Sequence, residues 1–139
     1  DGDFITFESD RSGSQKIYVM NLKTKKIKRI SFGKGKYATP VWSPRGDLIA
    51  FTKLLGGEFY IGVMYTDGKG ERVVYKSYLV EGPTWSPNGR VLSFYSQTKF
   101  SKGKISSPKI KLVDLTGVNL RELITPSDAS DPSWSGLLP

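Results

Sequence analysis

Short apolar runs broken by turn residues dominate the pattern of this chain. Phe4-Ile5-Thr6-Phe7, Leu48-Ile49-Ala50-Phe51-Thr52 and Val91-Leu92-Ser93-Phe94-Tyr95 are β-branched and aromatic stretches, each bounded by Gly, Asp, Asn or Arg. Runs of that length and composition read as strands. A second set follows at Lys16 to Met20, Phe59 to Met64 and Lys109 to Val113. Turns such as Thr66-Asp67-Gly68 and Leu115-Thr116-Gly117 lead to a third set, around Arg29-Ile30, Arg72-Val73-Val74 and Arg121-Glu122-Leu123. A further strand ends at Thr39-Pro40-Val41-Trp42, where Ser-Pro-x-Gly makes a tight turn. No stretch carries a convincing helical period. The pattern predicts an all-β chain.

The strands recur. Trp42-Ser43-Pro44-Arg45-Gly46 returns as Trp85-Ser86-Pro87-Asn88-Gly89 after 43 residues, and Trp134-Ser135-Gly136 follows 49 residues further on. Arg29, Arg72 and Arg121 share those offsets, as do Tyr18, Ile61 and Ile110. Phe7, Phe51 and Phe94 each stand five residues after Gly2, Gly46 and Gly89, so the chain is expected to begin inside a repeat. Four antiparallel strands every 40-odd residues describe β-propeller blades. The expected repeats cover about 1–36, 37–77 and 78–128 of a single partial domain, with a closing first strand at 129–139. That makes about three blades' worth, half of a six-bladed propeller.

Composition narrows the chemistry. The 139 residues contain neither Cys nor His, which removes disulfides, thiol nucleophiles, the Ser-His-Asp triad and the usual transition-metal ligands. A membrane helix needs about 20 apolar residues in a row, and no run approaches that. Twenty-one Lys and Arg against thirteen Asp and Glu give +8, partly from Lys23, Lys25, Lys26, Lys28 and Arg29. Lysines on an outer strand discourage edge pairing. No aromatic-basic recognition motif accompanies the charge, so nucleic acid is not an expected partner.

A large residue at one place in every repeat is what packing successive sheets requires, so the tryptophans read as core before they read as ligand platforms. Ser9-Asp10-Arg11-Ser12-Gly13 reads first as a turn. From Phe94 to Ile110 is 16 residues, against 10 and 11 in the other repeats. The surplus lies within Gln97 to Pro108 and carries Lys99, Lys102 and Lys104, either a binding loop or tolerated length.

Ser-Asp-Arg-Ser-Gly, Ile-Tyr-Val-Met-Asn, Trp-Ser-Pro-x-Gly and the ending Asp131-Pro132-Ser133-Trp134-Ser135 together resemble the WD40-like repeats of the TolB family. Gly136, where the repeat usually has Pro, departs from that pattern. The resemblance implies a non-catalytic periplasmic propeller of the Tol-Pal system, without a cofactor. It would bind a Pal-type peptidoglycan-associated lipoprotein, with other Tol proteins met through an amino-terminal domain absent here, and colicins exploiting the same mouth. Family propellers can hold calcium in the channel. Here only Thr39, Glu81, Asp131 and backbone carbonyls are obvious donors, so no metal site is expected. Trp-Ser-Pro-x-Gly alone is also similar to the propellers of prolyl oligopeptidases and oligogalacturonate lyases, which makes an enzyme's propeller the alternative. The residues preceding Pro40, Pro83 and Pro132 are expected at one mouth of the channel: Ala38 and Thr39, Glu81 and Gly82, Ser130 and Asp131. The loops between second and third strands emerge there too, adding Asp10, Arg11 and the Lys99 to Lys104 insertion. Three blades cannot close a ring, so a two-fold dimer of half-propellers is a further expectation.

Overall fold

The computed structural model describes residues 2–136. Eleven strands form three antiparallel sheets. The first holds β1 (Phe4–Ser9), β2 (Lys16–Asn21) and β3 (Ile27–Arg29). The second holds β4 (Lys36–Trp42), β5 (Leu48–Leu55), β6 (Glu58–Tyr65) and β7 (Arg72–Ser77). The third holds β8 (Leu79–Trp85), β9 (Val91–Gln97), β10 (Lys109–Asp114) and β11 (Arg121–Leu123). Strands neighbour one another in chain order within each sheet, as propeller blades require.

Register refines the repeat. Phe7 faces Tyr18, Phe51 faces Gly62 and Phe94 faces Lys111, so Ile17, not Tyr18, is the partner of Ile61 and Ile110. Likewise Lys28, not Arg29, corresponds to Arg72 and Arg121. The expected offset was one residue out, because the first repeat has an extra residue in the connection between β3 and β4. On the corrected register the long loop stands out against two repeats of identical length.

The middle sheet is buried on both faces, and strand alternation decides which side chain goes where. Ile49, Phe51 and Met64 pack with Ile17, Ile30, Tyr37 and half-buried Val19 and Trp42 between the first and second sheets. Leu48, Ala50, Ile61 and Val63 pack with Val80, Trp85, Leu92 and Phe94 between the second and third. Each large side chain so buried contributes roughly 1.5–3 kcal/mol. Trp85 also ties the two sheets by donating its indole N–H to the Val41 carbonyl at 2.9 Å. Gly62 makes room for the repeat phenylalanine, since a Cβ there would lie 2.5 Å from Phe51 Cζ.

The Trp-Ser-Pro-x-Gly turns explain their own composition. Gly46 and Gly89 donate N–H to the Ser43 and Ser86 carbonyls, at 2.9 and 2.8 Å, with φ of 79° and 66°. Both serines are buried, and their hydroxyls accept turn N–H groups from Arg45 and Val91.

A polar cluster locks the first sheet to the second. Tyr37, fully buried, donates its hydroxyl to Glu71 at 2.8 Å, and Lys53 Nζ meets Glu71 Oε1 at 2.6 Å. The Lys16 and Lys53 ammonium groups both lie against the Tyr37 ring, 4.9 and 4.7 Å from its centroid. Lys16, itself buried, donates to the Gly33 and Gly35 carbonyls. Burial, then Arg29 and Lys53 nearby, holds Lys16 below its ordinary pKa. Burial also pulls Lys53 down, but hydrogen bonds to Glu71 and Tyr37 carry it above its ordinary value.

The expected closing strand at 129–139 is not formed across its described part. Residues 129–136 carry no strand pairing; residues 137–139 lie outside the described part. Trp134 is exposed, unlike Trp85.

Candidate functional site

An unusual turn of backbone lies within β4 and β8 and recurs at the corresponding point of the carboxyl-terminal segment. Thr39, Gly82 and Asp131 adopt φ of 46°, 65° and 50°, and each immediately precedes a proline. Ordinary pre-proline preference predicts extended backbone there, and the structure departs from it. At the first two positions the departure coincides with a β-bulge, between Ala38 and Val41 and between Glu81 and Thr84. Bulges re-aim side chains and free backbone groups from the ladder. A β-branched residue such as Thr39 at positive φ is an outlier that costs about 1–3 kcal/mol and must be held by its surroundings.

What holds Thr39 is visible. Its backbone N–H donates to Glu8 Oε2 of the neighbouring sheet at 2.6 Å, and its hydroxyl lies 2.7 Å from that of Thr52. Glu8 also accepts from Gln15 Nε2 at 2.8 Å. In the third sheet Glu81 stands opposite Tyr95, whose hydroxyl reaches Glu81 Oε2 at 3.5 Å. Burial first, then the Glu81 and Asp131 carboxylates, push the Tyr95 hydroxyl above its ordinary pKa. Asp131 itself accepts from the Ser130 hydroxyl at 2.7 Å. Thus the Glu81 and Asp131 carboxylates both act on Tyr95, while Thr39 is held by Glu8 and Thr52 and Ala38 pairs with Thr52.

Glu8 and Tyr95 were not among the sequence candidates. A signal for them existed: the residue after each repeat phenylalanine is polar or hydroxylated, giving Glu8, Thr52 and Tyr95. Asp10 and Arg11 follow Glu8 by two and three residues on the β1–β2 turn, which closes with Gly13 N–H on the Asp10 carbonyl at 2.8 Å. The Arg11 guanidinium lies over the Phe7 and Tyr18 rings, 5.1 and 5.0 Å from their centroids, with Nε on Ser9 Oγ. Among the described residues no group of three or more Asp or Glu side chains stands close enough to hold a metal ion.

A family model described as the TolB beta propeller domain, PD40, matches residues 1–138. The chain belongs to this family. The Tol-Pal system protein TolB of Gluconobacter oxydans (strain 621H) is 48% identical over 106 residues, covering 76% of this chain and 23% of that protein. The Tol-Pal system protein TolB of Wolbachia sp. subsp. Drosophila simulans (strain wRi) is 52% identical over 123 residues, 87% of this chain and 28% of its own length. The chain thus spans about a quarter of these curated relatives. TolB from Acinetobacter baumannii superposes on 96% of the chain with a TM-score of 0.80 at 22% identity, covering 32% of that structure. The tricorn protease shares the fold at a TM-score of 0.70 and 15% identity, over 90% of this chain and 12% of its own. At such identities the likeness is one of fold. The TolB relatives lend no support to the expected two-fold dimer.

Proposed function

We propose that these blades form part of a non-catalytic periplasmic propeller whose mouth receives a Pal-type peptidoglycan-associated lipoprotein. The observation that carries this reading is the repeat-equivalent trio Thr39, Gly82 and Asp131. Strained backbone held at the same point of successive repeats, beside polar side chains that differ from blade to blade, is what a preorganised binding rim requires. Relatives that bear the Tol-Pal name supply the partner class. Contacts with other Tol proteins belong, on this reading, to parts of the relatives beyond these residues. Fold likeness to a protease carries no chemistry by itself.

The test uses the intact parent protein with Thr39→Arg, Glu81→Lys and Asp131→Lys, titrated with the lipoprotein's periplasmic domain by calorimetry. Reversing or replacing a polar contact in a desolvated rim is expected to weaken binding by roughly 1–3 kcal/mol with folding intact. Unchanged affinity in all three variants refutes the mouth as the binding surface.

A further inference from the structure

The insertion between β9 and β10 is an ordered finger. Lys99 and Ile105 pair across it, Phe100 N–H donates to the Lys104 carbonyl at 2.7 Å, and a 3₁₀ turn at Ser101–Gly103 closes the tip. Its base is fixed by Gln97 Nε2 on the Ser106 carbonyl at 3.0 Å and by Thr98 N–H on Ser106 Oγ at 2.9 Å. Cross-strand partners share a face, so Lys99 and Ile105 point the same way. That way is towards Tyr78, the single residue joining β7 to β8, whose ring lies 5.3 Å from Lys99 Nζ.

Between the finger and the β5–β6 turn runs a groove of about 550 Å³, lined by Gly57, Glu58, Lys76, Ser77, Tyr78 and Lys99. Tyr78 and Ile105 are both exposed, at 38% and 43%. The groove's one carboxylate, Glu58, is already taken by Lys76 Nζ at 2.6 Å and the Tyr60 hydroxyl at 3.0 Å. Lys99, Lys102 and Lys104 form no ion pair among the described residues. Lys99 on the groove wall, with Lys102 and Lys104 at the tip of the same finger, joins an exposed aromatic and an exposed aliphatic side chain in a site that is positive and apolar at once. Gly57, where even a Cβ would meet nothing within 4 Å, leaves the opposite wall open to a partner's backbone.

We infer that this groove, built from residues other than the mouth trio, is a second docking surface and that it takes an extended acidic peptide segment of a partner protein. Carboxylates of that segment meet Lys99, Lys102 and Lys104, and one apolar side chain covers Tyr78 and Ile105. A walled groove suits a peptide chain better than the flat surface of a bilayer.

The test is fluorescence anisotropy on the 139-residue chain at low salt. The probe is a fluorescein-labelled peptide, Glu-Asp-Phe-Glu-Asp-Leu, compared with its Gln/Asn counterpart. The acidic probe is expected to bind at least tenfold tighter than the neutral one, and to weaken at raised salt. The exposed triple change Lys99→Ala, Lys102→Ala, Lys104→Ala is expected to weaken it tenfold or more, and Tyr78→Ala severalfold. Lys23→Ala, Lys25→Ala, Lys26→Ala on the β2–β3 hairpin should leave it unchanged. Circular dichroism of every variant confirms folding. Equal binding of both probes, or equal loss in the hairpin variant, overturns the inference. So does binding to phosphatidylglycerol vesicles without binding to the acidic peptide, which assigns the finger to a membrane surface. Lipoprotein binding at the mouth is untouched by any of these outcomes.

Discussion

Gly82→Ala isolates the backbone geometry at the mouth. An added Cβ at Gly82 would meet nothing within 4 Å, so the substitution carries no steric term. What it carries is the cost of φ at 65° for a residue with a side chain, about 1–2 kcal/mol. Loss of glycine's freedom in the unfolded chain offsets roughly 0.4–1 kcal/mol of that. The expected net loss is about 1 kcal/mol. Thr39→Gly runs the other way at the equivalent position. Strain of about 1–2 kcal/mol is relieved. The Thr39–Thr52 hydroxyl pair, about 1 kcal/mol, is lost, and the freer unfolded chain removes roughly 0.4–1 kcal/mol more. These nearly cancel, so this variant should lie within about 1 kcal/mol of the parent.

Urea unfolding followed by tryptophan fluorescence reads both. With a slope of about 2 kcal/mol per molar, Gly82→Ala should lower the midpoint by about 0.5 M at constant slope. The two sites lie in different sheets without shared partners, so the double variant should show the sum. A Gly82→Ala chain as stable as the parent would sink the claim that these positions are strained. So would a Thr39→Gly chain losing more than about 2 kcal/mol.

Two further expectations concern the seam between the first and second sheets. Tyr37→Phe removes a buried hydroxyl from a charged acceptor; since Glu71 is partly exposed, the loss should be about 1–2 kcal/mol, measured by the same urea titration. Burial raises the Tyr37 pKa above 10.0, so its contribution is fully present below pH 10 and is lost as pH rises through the folded value; the Phe variant should lack that part of the alkaline loss. Gly62→Ala forces Phe51 out of its place and should cost roughly 1–3 kcal/mol in thermal or urea unfolding, although the glycine's own φ is ordinary.

The fold was legible because repetition averages over local ambiguity. A single Leu-Ile-Ala-Phe run is compatible with several structures. Three such runs, each five residues behind a glycine, fit only strands in a periodic array. Trp42 and Trp85 read correctly as packing residues for the same reason. The backbone of Thr39 and Asp131 was not legible, because the residue before proline is ordinarily extended; at Thr39 the preference is overridden by a bulge set by register with β5, and Asp131 adopts the same backbone without strand pairing. The Lys16, Tyr37, Lys53 and Glu71 cluster was hidden too. Its members come from four strands or loops of two sheets and share no repeat position, so no spacing in the sequence connects them. The finger was legible as extra length, but its paired hairpin geometry was not.

Repetition and recognition pull in opposite directions along this chain. A position that is alike in every repeat, such as the phenylalanine of β1, β5 and β9, serves what all blades need, which is packing: Phe51 and Phe94 each bury against the preceding sheet. On the function proposed above, a partner approaching the mouth meets the same backbone turn at each blade and can tell the blades apart only by what differs: Glu8, Thr52 and Tyr95 behind the turn, and Thr39, Gly82 and Asp131 within it. Specificity therefore has to reside in the departures from the repeat. Substitutions at the shared aromatics should lower stability and binding together, whereas substitutions at the varying polar positions should separate the two.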